Sequence, residues 1–200
     1  KKILLLSELK TYAPHFNFDF RVDESTKITD TISDSAIVSY KNNAISTSNG
    51  LTLDGVNNFA EISNFELGYT FSIEIYLKID TNSKSTIFEF SNGDLYTNKD
   101  QIILESRNNA FRFYSRTGNK ITKGYSINDI GNFNNTDYIH FITVIDGTQN
   151  IASFYQNGKL VSESKNIIKQ NPLVRNSHLI GKNLKNSDYL KGDIRYFRIW

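Results

Sequence analysis

Two hundred residues carry 23 basic and 21 acidic side chains, a net charge of +2, 38% hydrophobic residues, and neither cysteine nor methionine. That length suits one large β-domain, and a charge so near balance supplies no field for gripping nucleic acid. The missing cysteines exclude disulfides and thiolate chemistry, and no apolar run is long enough to cross a bilayer as a helix.

In chain order, residues 2–9 come first; Ile3, Leu4, Leu5 and Leu6 read there as either an edge strand or one helical turn. Residues 16–20 alternate aromatic and polar side chains, and 60–63 form a short run. Phe71, Ile73, Ile75, Leu77 and Ile79 then alternate without a break against Ser72, Glu74, Tyr76, Lys78 and Asp80. Strand side chains point to opposite faces in turn, so this stretch has one oily face and one polar face; a helix would scatter the same residues. Residues 86–90 and 101–105 follow, and Phe111 and Phe113 alternate with Arg112 and Tyr114. Residues 138–145 are apolar at both parities, as expected of a strand in the middle of two layers. Runs at 151–155, 160–162, 178–180 and 193–200 complete the series.

Asn49-Gly50, Asp54-Gly55, Asn92-Gly93, Asp146-Gly147 and Asn157-Gly158 separate these runs with residues that tolerate the positive φ of tight hairpins. Many strands at short spacing, without a long helical pattern or a fixed repeat, predict an all-β fold of two antiparallel sheets. One domain over 1–200 is expected. A start at Lys1 and a close on the strand ending in Trp200 read as a domain cut from a longer polypeptide.

Four segments in order resemble the laminin-G-like and concanavalin A-like lectin/glucanase superfamily of jelly rolls. They are Leu51-Thr52-Leu53-Asp54-Gly55 with Phe59-Ala60-Glu61-Ile62; Phe71-Ser72-Ile73-Glu74-Ile75-Tyr76-Leu77-Lys78; Tyr138-Ile139-His140-Phe141 through Phe154-Tyr155-Gln156-Asn157-Gly158-Lys159-Leu160; and Ile180-Gly181 with Leu190-Lys191-Gly192-Asp193-Ile194-Arg195-Tyr196-Phe197-Arg198-Ile199. The asparagine- and isoleucine-rich texture is also similar to the N-terminal sandwich of clostridial neurotoxin binding regions. Tyr138 departs from the pattern, standing where the family often has tryptophan. The resemblance implies a concanavalin A-like jelly-roll sandwich with a concave face and a rim of loops. It implies fold more than function, since members bind sugars, lipids or proteins or cleave glycans.

Sugar-cleaving members carry two carboxylates at alternate positions of one strand, and no glutamate here has an acidic residue two places on. Glu74 and Asp80 share a face but stand about 20 Å apart at the usual rise per residue, too far for either glycosidase mechanism. No Gly-x-Ser-x-Gly elbow occurs. His140 reads as a hydrogen-bonded structural side chain, and His15 and His178 lack ligand-like spacing for zinc. A non-catalytic role is expected.

The densest oxygen-rich loop runs from Asn92 to Asp100. The family often holds calcium at such a rim, which makes Asp94 and Asp100 the candidate metal ligands, although the spacing is not that of an EF-hand. Asp94, Tyr96, Asn98 and Asp100, with Tyr114 and Arg116, are the candidate ligand-binding set: a tyrosine ring stacks on a pyranose while amides and carboxylates take its hydroxyls. Arg107, Arg112, Arg116, Lys120 and Lys123 form a basic cluster suited to an anionic glycan, or to a solvated face. The expected partner is a glycan or glycoconjugate, with no nucleic acid and no transmembrane segment, in an extracellular, surface or virion-associated setting. The alternative is a structural or protein-interaction domain joined to other chains of a toxin, adhesin, tail fibre or capsid assembly; a glycoside hydrolase ranks third.

Overall fold

The computed structural model describes residues 15–22, 27–92, 100–117, 130–134, 137–165, 167, 170 and 172–200. Among these no helix occurs, and residues 2–9 lie outside them. The strands are β1 (Phe16–Asp19), β2 (Lys27–Thr29), β3 (Ile37–Lys41), β4 (Ile45–Thr47), β5 (Gly50–Asp54), β6 (Phe59–Ile62), β7 (Glu66–Leu67), β8 (Phe71–Ile79) and β9 (Ser85–Ser91). The series continues with β10 (Gln101–Arg107), β11 (Ala110–Arg116), β12 (Ile130–Asn132), β13 (Ile139–Asp146), β14 (Ile151–Gln156), β15 (Lys159–Lys165), β16 (Leu173–Val174), β17 (Ser177–Ile180) and β18 (Lys191–Ile199).

They form two antiparallel layers. The first sheet runs β15-β14-β13-β8-β18-β5-β4, and the second β12-β11-β10-β9-β17-β6-β3-β2; β7 and β16 pair separately. β18 is the hub of the first sheet. One edge pairs with β8, while its other edge is shared: residues 191–194 face β5 and 196–199 face β1.

The core is an aromatic zipper between the layers. Phe88 and Phe90 of the second sheet meet Phe197 of the first at 5.7 and 5.9 Å between ring centroids. Phe111 packs on Phe141 at 4.4 Å and Phe113 on Phe154 at 5.4 Å. These rings occupy the alternate positions anticipated above, and burying each removes some 150–250 Å² of apolar surface from water. The strand β13 differs from expectation: Ile139, Phe141, Thr143 and Ile145 are buried, whereas His140, Ile142 and Val144 are half-buried on the outer face. Asp146-Gly147 also differs. Gly147 does not adopt positive φ; it is needed because a Cβ there would collide with the Tyr69 carbonyl.

Candidate functional site

Alternation that sends Phe88, Phe90, Leu104, Phe111 and Phe113 inward sends Glu89, Ile103, Glu105, Arg112, Tyr114 and Arg116 to the outer face of the second sheet. Register then sets them side by side. Tyr114 lies opposite Ile103, which lies opposite Glu89, and Arg116 lies opposite Gln101. A bulge between Leu104 and Glu105 brings Thr86 opposite Glu105. The loop from Lys182 to Asp188 forms the wall beside this face.

That loop is held by its own polar side chains. Asn183 Oδ1 accepts from the backbone N–H groups of Lys185 and Ser187 at 3.0 and 3.1 Å, while its Nδ2 donates to Asp188 at 2.9 Å. Lys182 Nζ lies 3.8 Å from the Phe59 ring centroid and donates to Asn186 at 2.7 Å, and burial lowers its pKa. Asn186 and Asp188 take positive φ, a conformation short polar side chains tolerate. The Leu184 N–H reaches down to Glu89 at 3.2 Å and anchors the loop to the sheet.

Between wall and sheet lies a cleft of about 370 Å³. Its floor is acidic. Glu89 accepts from Gln101 at 2.6 Å. Glu105 accepts from the Tyr114 hydroxyl at 3.1 Å, faces Arg112 at 3.6 Å, and meets Lys84 at 3.2 Å. Lys84 also holds Asp188 at 2.9 Å. Burial pulls the Lys84 pKa down, but the Asp188 hydrogen bond and the Glu105 charge outweigh it, so the net shift is upward. Burial, then the Glu105 charge, raises that of Tyr114. Thr86, only 1% exposed, lines the cleft, and its buried hydroxyl has no hydrogen-bond partner. A buried hydroxyl in that state costs about 1–3 kcal/mol, so the position favours a ligand or water that pairs with it. Ile103 and Leu184 supply apolar surface.

Of the anticipated binding residues, Tyr114 and Arg116 line this cleft. Asp94, Tyr96 and Asn98 lie outside the described residues. Asp100 is buried away from the cleft; Asn92 donates to it at 3.4 Å, and its charge acts on the guanidinium of Arg175. Arg175 is fully buried, donates to Gln170 at 3.3 Å, and has its pKa lowered to about 10 by burial. A guanidinium beside Asp100 repels a divalent cation, and no group of three or more His, Asp or Glu among the described residues is placed to share a metal ion. Asp94, the other candidate calcium ligand, lies outside the described residues.

His140 plays the structural role expected of it, its Nε2 lying 2.7 Å from Glu74 on the outer face of the first sheet. His178 stacks on Phe65 at 4.1 Å with neither ring nitrogen hydrogen-bonded; burial, then Arg175, pushes its pKa down to about 3. Glu89, Glu105, Thr86 and the 182–188 wall were not anticipated. Strand parity already turned both glutamates outward, but they sit on neighbouring strands, where a search along one strand does not join them.

A family profile described as the concanavalin A-like lectin/glucanases superfamily, of laminin G type, matches residues 47–200. No curated protein matches at the sequence level. Among solved structures, domain 4 of AbnA, an extracellular arabinanase of Geobacillus stearothermophilus determined with arabinotriose, is 15% identical. It superposes with a TM-score of 0.71 over 93% of this chain and 91% of that one. The CBM40 of the Ruminococcus gnavus IT-sialidase, bound to α2,3-sialyllactose, is 11% identical with a TM-score of 0.55, covering 69% and 89%. The botulinum neurotoxin serotype D binding domain is 17% identical with a TM-score of 0.67, covering 94% of this chain and 48% of that one. At these identities the likeness is one of fold.

Proposed function

The chain belongs to the concanavalin A-like lectin/glucanase superfamily, and from that premise we propose that it is a non-catalytic module that binds carbohydrate in the cleft of the second sheet. One observation carries the reading: the carboxylates lining the cleft are already positioned by Gln101, Tyr114, Lys84 and the Leu184 N–H, beside a Thr86 whose buried hydroxyl has no hydrogen-bond partner. Such acceptors receive sugar hydroxyls without reorganising, while Ile103 and Leu184 meet the C–H face of a ring. The cleft volume of about 370 Å³ falls within the range usual for small-ligand sites. Support also comes from the arabinotriose and sialyllactose held by two structures of this fold, and we place the domain outside the cell or at a surface on the same ground.

Glu89 and Glu105 both line the cleft. Each already accepts hydrogen bonds from neighbouring protein groups, an arrangement suited to receiving donors rather than to delivering a proton to a leaving group. The assembly reading would draw on Leu160 and Val161, exposed on β15. Two apolar residues at a sheet edge are ordinary on a soluble surface and do not carry it.

A glycan array probed with the 200-residue chain tests the proposal. Saturable binding to at least one glycan is expected, reduced tenfold or more by Thr86→Val and Tyr114→Ala in variants that retain the wild-type melting transition. A blank array, or binding indifferent to both changes, overturns it.

A further inference from the structure

The cations around the cleft fall into two groups. Lys84 is clamped between Glu105 and Asp188, and Arg112 faces Glu105 while donating to the Tyr114 hydroxyl at 3.0 Å. Arg116 and Lys185 line the same cleft, yet among the described residues neither has a carboxylate within ion-pair distance. Arg116 is the last residue of β11, half-exposed opposite Gln101; Lys185 stands on the loop wall. The cleft thus has carboxylates and an unpartnered hydroxyl on its floor and two uncommitted cations on its lining.

Resting on the carbohydrate reading above, we propose that the cleft selects a sugar acid, a saccharide unit bearing a carboxylate. Its hydroxyls donate to the acidic floor around Glu89 and Glu105. Its carboxylate accepts from Arg116, whose planar fork matches two carboxylate oxygens, and from Lys185. A neutral sugar satisfies the floor and leaves both cations to solvent. A bare inorganic anion satisfies the cations and is repelled by the floor. Only a ligand with both chemistries engages the whole cleft.

Titration calorimetry on the 200-residue chain with matched pairs tests this: lactose against sialyllactose, a neutral galactose trimer against trigalacturonate, and sulfated lactose as a non-carboxylate anion. One acidic member should bind at least tenfold tighter than its neutral parent at 0.15 M salt, in line with a charge-assisted hydrogen bond. The preference should shrink several-fold at 1 M salt as screening shortens. Arg116→Gln should erase the preference, bringing the affinity for the acidic member down to that for its neutral parent. Arg116→Lys should keep salt-sensitive attraction but lose discrimination between carboxylate and sulfate. Equal affinity for acid and neutral partners overturns the sugar-acid assignment and leaves carbohydrate binding standing, as does a preference for sulfate. Binding of no glycan of either kind overturns both.

Discussion

The outer faces of the two sheets use similar residues to opposite ends. On the first sheet, Tyr76 stacks between Tyr138 at 5.2 Å and Tyr196 at 5.5 Å. Arg195 lies over the Tyr138 ring at 3.9 Å and Arg198 over Tyr196 at 4.1 Å. Glu74 gathers His140 at 2.7 Å, Arg198 at 3.3 Å and the Tyr196 hydroxyl at 3.4 Å. Even Arg195 Nε, which lacks a hydrogen-bond acceptor, belongs to a guanidinium held by ring faces. On the second sheet, among the described residues, the arginine at the end of β11 has no carboxylate within ion-pair distance and the Thr86 hydroxyl has no hydrogen-bond partner. An arginine or a hydroxyl on a β-surface is therefore left open to a ligand only where register and a neighbouring loop keep it from partners.

The contrast is breakable at several points. The largest effect is expected from Glu74→Ala, which takes the carboxylate from His140 and leaves Arg198 with Asn17 as its acceptor, and should lower stability by about 3 kcal/mol, the low end for a broken buried pair because both partners are part-exposed. Urea unfolding checks it, and glycan affinity at the cleft should not move. Next comes acid. His178 binds a proton near pH 6.5 when unfolded and only near pH 3 when folded, so below 6.5 the unfolded state takes up the proton first. Stability should fall with pH across that window, by about 2 kcal/mol at pH 5 at about 1.4 kcal/mol per pH unit. His178→Phe should flatten that slope; an unchanged slope would remove His178 as its source. The smallest effect belongs to the cleft: Tyr114→Phe removes the hydroxyl that donates to Glu105 and should cost about 1 kcal/mol. Equal losses from Glu74→Ala and Tyr114→Phe would dissolve the distinction between the two faces.

The long strands were legible because nine residues from Phe71 to Ile79 repeat a period of two without interruption. The strands β2, β4, β7 and β16 were not, since two or three residues hold no measurable period. Parity alone put Tyr114 and Arg116, which line the cleft, on the outer face. The floor of the cleft required the pairing of β9 with β10, and the wall required knowing that the chain after β17 folds over that pair. Both are long-range facts of register, which side-chain alternation does not encode. The same holds for Gly147, whose constraint comes from the distant Tyr69 carbonyl rather than from its own turn.

The position of β18 has a consequence for biosynthesis. Because the segment Lys191–Ile199 is wedged between β8 on one flank and β1 and β5 on the other, a nascent chain that has emitted every earlier strand still holds one layer as three unjoined parts with open edges. Productive closure waits on those nine residues, and a ribosome stalled or a protease acting just before them leaves an adhesive, half-built layer.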